Sequence, residues 1–167
     1  MNHVLKLAKQ YALTIFAENQ ASSAMAKYTA MLRGLSIIHQ QAHWTSKAEN
    51  YYGDHLLLDR LYESVTKNVD SAAERTIGLY GAKALTLKEH METAASFVKD
   101  IEEKSEKLTL IDRSLLAEET FLKFSKELYD SLKSADALSL GLDDLIMSIS
   151  SDHEENVYLL RRRVSLE

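Results

Sequence analysis

No proline interrupts any of the 167 residues, and glycine occurs only five times. Proline and glycine are the strongest helix breakers, so a chain nearly free of both has few places to stop a helix once it has begun. Apolar residues make up 46% and charged residues 27%, which is enough to bury one core and keep the outer faces wet. The expectation is an all-α bundle of a few long helices.

Periodicity places those helices. From Asn50 to Tyr80 apolar residues recur at Leu58, Leu61, Val65, Val69 and Ala72, with Arg60, Ser64, Lys67, Ser71 and Arg75 on a solvated side. Ser22 or Ser23 would cap a preceding bundle helix that ends near Trp44. Val4 to about Phe16 reads as an extra N-terminal helix, so residues 1–20 form an extension and 21–167 the bundle. Capping boxes are expected at Ser46 to Glu49 and at Thr86 to Glu89, the second opening a short helix in the middle connection. A third bundle helix is expected from about Asp112 to Ser134 and a break at Gly141. The last helix would run from Asp143 and Asp144, acids suited to a helix start, to Arg161, Arg162 and Arg163, bases suited to its end.

The second helix carries the chemistry. His55 with Asp59, and Asp70 with Glu74, are two i,i+4 pairs, and His43 stands twelve residues before the first. At about 100° per residue the four helical residues fall within an arc of about 100° beside the core stripe. Imidazoles and carboxylates in a chain without cysteine suit a borderline-to-hard divalent metal such as iron, and exclude thiolate sites and disulfides. At about 1.5 Å of rise per residue, however, the two pairs are centred roughly 22 Å apart, so one helix cannot close a site with bonds of about 2 Å. A second copy, antiparallel about a two-fold axis, would set His55 and Asp59 of one chain against Asp70 and Glu74 of the other, with Tyr62 and Thr66 near the axis. The plain alternative is four unrelated polar residues on a wet face, which repulsion between Asp70 and Glu74 disfavours.

The run Gln41-Ala42-His43-Trp44, then His55 and Asp59, then Asp70, Ala73-Glu74-Arg75 and Gly81, resembles the signature of the Dps family, the mini-ferritins. The match is densest over 39–81 and collinear but weaker to Val164. The resemblance implies a ferritin-like four-helix bundle with a short helix in its crossover, assembled as a hollow dodecamer. It also implies an inter-subunit ferroxidase that uses His43, His55, Asp59, Asp70 and Glu74, with iron as the metal and hydrogen peroxide or dioxygen as oxidant. Trp44 would lie beside that centre as an oxidisable residue, or serve as a packing aromatic. Asp136, Asp143 and Asp144 would line iron-entry pores, although helix capping explains such acids as well. Classical ferritins need Glu-x-x-His pairs inside one bundle, and this chain has none.

His39, one turn before His43, reads as a packing residue or an auxiliary ligand, and His3, His90 and His153 as surface or structural residues. A net charge of −5 and a single basic cluster, Arg161 to Arg163, disfavour DNA binding, which the family name invites. No apolar run approaches the roughly 20 residues of a membrane span, and Met1 to Asn19 lacks the apolar segment of a signal peptide. A cytoplasmic protein is expected, with nucleoid association as the variant.

Overall fold

The computed structural model describes residues 2–47 and 49–164, with side chains from Glu18 onward. Five α-helices follow one another: α1 (Asn2–Thr45), α2 (Tyr51–Tyr80), α3 (Leu87–Lys104), α4 (Leu110–Ser134) and α5 (Leu140–Val164), with a 3-10 turn at Ala82–Ala84. Short connections make α1–α2 and α4–α5 hairpins, and the long crossover between them carries α3 across α1. Four long helices and a short crossover helix form the expected bundle.

Local chemistry moved several boundaries. The N-terminal extension is helical but runs unbroken into the first bundle helix, so Ser22 and Ser23 lie inside α1. Residues 17–24, Ala-Glu-Asn-Gln-Ala-Ser-Ser-Ala, contain nothing that would stop it. The amphipathicity expected for Val4 to Phe16, like His3, falls outside the described side chains.

Helix ends differ too. Gly81, at φ 82°, closes α2 by returning its N–H to Ile77 O at 2.8 Å. The break expected at Gly141 occurs earlier. Asp136 takes the left-handed conformation at φ 53°, and Ala137 N–H reaches back to Leu132 O at 2.9 Å, a Schellman-type end to α4. Gly141 itself lies in the first turn of α5, where an added Cβ would stand 2.6 Å from an Arg75 guanidinium nitrogen. Thr109 caps α4, accepting from Asp112 N–H at 3.1 Å. Thr86 does precede α3, but its hydroxyl donates to the Glu89 carboxylate rather than meeting a backbone N–H.

Two apolar clusters fill the bundle. The larger includes Met25, Tyr28, Leu35, Val65, Phe121 and Ile146. The smaller, Ala42, Leu58, Leu61, Ile111 and Leu160, lies beneath the α1–α2 junction. A polar layer is drawn from α1, α4 and α5: His39, Glu118, His153 and Asn156, all buried. Glu118 accepts from His39 Nε2 at 2.9 Å, from Asn156 Nδ2 at 3.0 Å and from His153 Nδ1. Burial pushes its carboxyl up, but the charge and hydrogen bond of His153, then those of His39, pull it down to about 2.

Gly34 lets α3 lie close on α1. A Cβ there would meet Phe97 Cδ1 at 2.8 Å and the Ala94 carbonyl oxygen at 3.0 Å. Because the carbonyl is backbone, the helices would have to part, and Gly34→Ala is expected to lower stability by about 1–3 kcal/mol in urea unfolding.

Candidate functional site

The α1–α2 junction brings His43, His55 and Asp59 together. The last carbonyls of a helix have no intrahelical donor, and the end of α1 offers His43 O in that state. His55 Nδ1 donates to His43 O at 3.1 Å, and His43 Nδ1 donates to His55 O at 3.1 Å. The two rings stack, with centroids 3.9 Å apart and planes 24° from parallel.

This reciprocal clasp fixes more than position. A carbonyl oxygen only accepts, so each Nδ1 carries hydrogen, and the neutral ring then holds its lone pair at Nε2. His43 Nε2 stands 3.8 Å from Asp59 Oδ1, with the imidazole 17% and the carboxylate 43% exposed. Two donors bonded to one first-row ion at roughly 2.1 Å lie no more than about 4.2 Å apart, so this pair is within reach of a shared metal.

The remaining acids do not join them in the same chain. Asp70 and Glu74 are exposed further along α2. Among the described residues no three His, Asp or Glu side chains gather closely enough to hold an ion. One chain thus presents two separate half-sets, one at the α1–α2 junction and one further along α2.

The surroundings anchor the junction. Arg163 at the end of α5 donates to both Asp54 oxygens, Nε at 2.6 Å and Nη2 at 3.3 Å, and so ties down the first turn of α2 beside His55. Tyr51 lies against His55, with ring centroids 5.1 Å apart. Trp44 is 69% exposed beside His43, and Ile37, Tyr52 and Leu56 are exposed as well. A cleft of about 910 Å³ between α1, α3 and α4 is lined by Lys27, Glu89, His90, Asp100, Lys123 and Glu127, and includes none of the junction residues. There the His90 imidazole is pulled below its ordinary value, by burial first and then by Arg33.

Other candidate residues sort by contact. His39 faces Glu118 in the core, as does His153, so both are structural. The pore candidates part company. Asp136 terminates α4, while Asp143 faces Tyr129, whose phenol it pushes up by hydrogen bonding and charge, and Asp144 is exposed. Within the basic cluster, Arg161 pairs with Glu119 and Arg163 with Asp54. Sequence reasoning missed Glu118 and Asn156. Glu118 lies on the buried stripe Ser114, Ala117, Phe121, Ser125 of α4, a signal visible in the pattern, whereas Ser46 was read only as a helix cap.

Comparison with solved structures sets this geometry in context. Dps from Thermosynechococcus elongatus superposes with a TM-score of 0.75 at 16% identity, over 90% of this chain and 94% of that one. The fold is that of the Dps proteins. Dps from Microbacterium arborescens, solved in a high-iron form, gives 0.69 at 20% identity over 89% and 95%. Sequence similarity points the same way. The DNA protection during starvation protein of Listeria innocua is 32% identical over 66 residues, 40% of this chain and 42% of that protein. General stress protein 20U of Bacillus subtilis is 26% identical over 120 residues, 71% of this chain and 79% of that one. No family model matches the chain. Among the described residues no helix is long and apolar enough to cross a membrane.

Proposed function

We propose that the chain is a Dps-like mini-ferritin subunit that oxidises Fe(II) at sites shared by two-fold-related copies and stores the ferric product in a hollow dodecamer. The observation that carries this reading is the clasp: two imidazoles held with Nδ1 protonated, one of them facing Asp59, while Asp70 and Glu74 stand further along α2 with no metal-binding group completed around them among the described residues. His43, His55 and Asp59 would bind Fe(II) together with Asp70 of the partner subunit and Glu74 of the partner subunit. Exposed Ile37, Trp44, Tyr52 and Leu56 support burial of this face against another copy. The high-iron form of the Microbacterium relative supports iron as substrate.

Carboxylates favour the ferric product, imidazoles keep the affinity for Fe(II) moderate, and an open position admits the oxidant. With hydrogen peroxide, two Fe(II) each lose one electron, and peroxide takes both with two protons to give two waters. Pairing the electrons releases no hydroxyl radical, so iron storage and protection against peroxide are one reaction. Purified shells loaded anaerobically with Fe(II) are expected to develop ferric absorbance within seconds of peroxide addition. No rise above the protein-free rate would refute the reading.

Of the three pore candidates, Asp136 and Asp144 are exposed and Asp143 is half-buried, and Asp144 is the one favoured for Fe(II) entry. A ring of such carboxylates would concentrate cations at the entrance. Asp144→Asn is expected to slow iron uptake into intact shells several-fold at low salt and less at high salt. Unchanged uptake at low salt would remove Asp144 from the path.

A further inference from the structure

Ser46, expected as the cap of α2, does something else. The residue before α2 is Asn50, and no side chain caps that helix. Ser46 follows the last residue of α1 and is only 8% exposed, although the connection it belongs to lies at the protein surface. Its hydroxyl turns back to donate to His43 O at 2.9 Å and stands 3.4 Å from His55 Nδ1. His55 Nδ1 itself donates to the same His43 carbonyl.

These three groups close a triangle with only one consistent assignment of hydrogens. The Ser46 hydrogen is committed to the carbonyl, so its oxygen offers only lone pairs toward His55, and the carbonyl offers only lone pairs as well. Nδ1 of His55 must therefore be the protonated nitrogen. We infer that Ser46 is a positioning residue for the metal site: its hydroxyl holds the His55 ring with Nε2 turned outward as a ligand. The inference rests on the iron-oxidising reading of the site.

The physical argument is one of orientation. An imidazole bound by a single hydrogen bond can swing about it, and a flipped ring presents carbon where the metal needs nitrogen. Two acceptors on the Nδ1 side, one of them a hydroxyl that is itself anchored, restrict that swing. They also make Nε2 a better donor, as outer partners of metal-bound histidines do elsewhere. Without the hydroxyl, His43 O keeps only His55 Nδ1 as a donor, and the ring is free to swing about that single bond. The Ser46 hydroxyl thus couples the end of one helix to the ligand geometry of the next.

Co(II) is the probe, because its visible absorption reports the number and geometry of its ligands without turnover. Wild type, Ser46→Ala, Ser46→Thr and the control His55→Ala would be titrated as assembled shells, with shell size and thermal midpoint recorded for each. Ser46→Ala is expected to assemble normally and to bind Co(II) about 10-fold or more weakly with altered visible bands, the size of effect that outer partners of metal ligands carry. Ser46→Thr, which keeps the hydroxyl, is expected to restore both. If Ser46→Ala fails to assemble, Ser46→Val against Ser46→Thr makes the comparison, since the two differ by the hydroxyl alone. Equal affinity with and without the hydroxyl, or equal loss in Ala and Thr variants, would overturn the role. Wild type binding Co(II) no better than His55→Ala would instead refute the metal site on which the inference rests.

Discussion

Glu118→Ala is expected to lower the stability of the protein by about 3–5 kcal/mol, the cost of leaving the other members of a buried ion-pair network without their partner. Glu118 is wholly buried and holds both imidazoles and the Asn156 amide, so its removal strands three groups at once. His39 Nδ1 and His153 Nε2 already lack partners in the core, so the layer is only partly satisfied even with Glu118 in place. The effect should fade with acid. The carboxyl titrates near 4.5 when free and near 2 when folded, so its contribution is fully present above pH 4.5 and is lost as pH falls from 4.5 towards 2. At about 1.4 kcal/mol per pH unit, that interval corresponds to about 3 kcal/mol. The difference in urea midpoint between wild type and Glu118→Ala should therefore narrow on acidification; a constant difference would mean that Glu118 is not ionised in the fold. Replacing the whole layer together, with His39→Leu, Glu118→Met, His153→Leu and Asn156→Leu, is expected to be close to neutral, because no buried charge is then left alone.

That layer marks where sequence reading ran out. Helix α2 was legible because Leu58, Leu61, Val65, Val69 and Ala72 keep helical period and are all buried. The polar layer was not, because its members are isolated polar residues spread over three helices, α1, α4 and α5, and only packing shows that they meet. A histidine such as His153 reads equally as surface or structural until Glu118 is placed opposite it 35 residues away in sequence. Helix ends failed for a related reason. Ser46-x-x-Glu49 has the form of a capping box, but the Ser46 hydroxyl found a stronger claim in the orphan carbonyl at the end of α1. The end of α4 at Ser134 was legible, but Gly141, expected to break the chain, lies in the first turn of α5, and the left-handed residue is Asp136, because aspartate tolerates that region better than most side chains. At the site, spacing alone separated His55 and Asp59 from Asp70 and Glu74. The clasp between His43 and His55 depends on backbone carbonyls, which no residue pattern displays.

Two inactive chains are expected to make an active shell when they assemble together. His55→Ala with Asp59→Ala empties one half-set, and Asp70→Ala with Glu74→Ala empties the other. Each shell alone should lose ferric formation by at least about 100-fold, since changes one layer further from a metal already cost about 10–100-fold. Both double variants alter exposed or half-exposed positions outside the two core clusters, so assembly should survive. Co-expressed in equal amounts, the chains pair at random and about half of the dimers are mixed. In an antiparallel pair, one site of a mixed dimer then receives both intact half-sets and the other receives neither. About a quarter of all sites are restored, and ferric absorbance after peroxide addition should return to about a quarter of the wild-type rate. A site built within one chain predicts no recovery at any mixing ratio, because every chain lacks part of it. Helix geometry argues for recovery, because about 22 Å of α2 separates two half-sets that a two-fold axis between its copies would bring together.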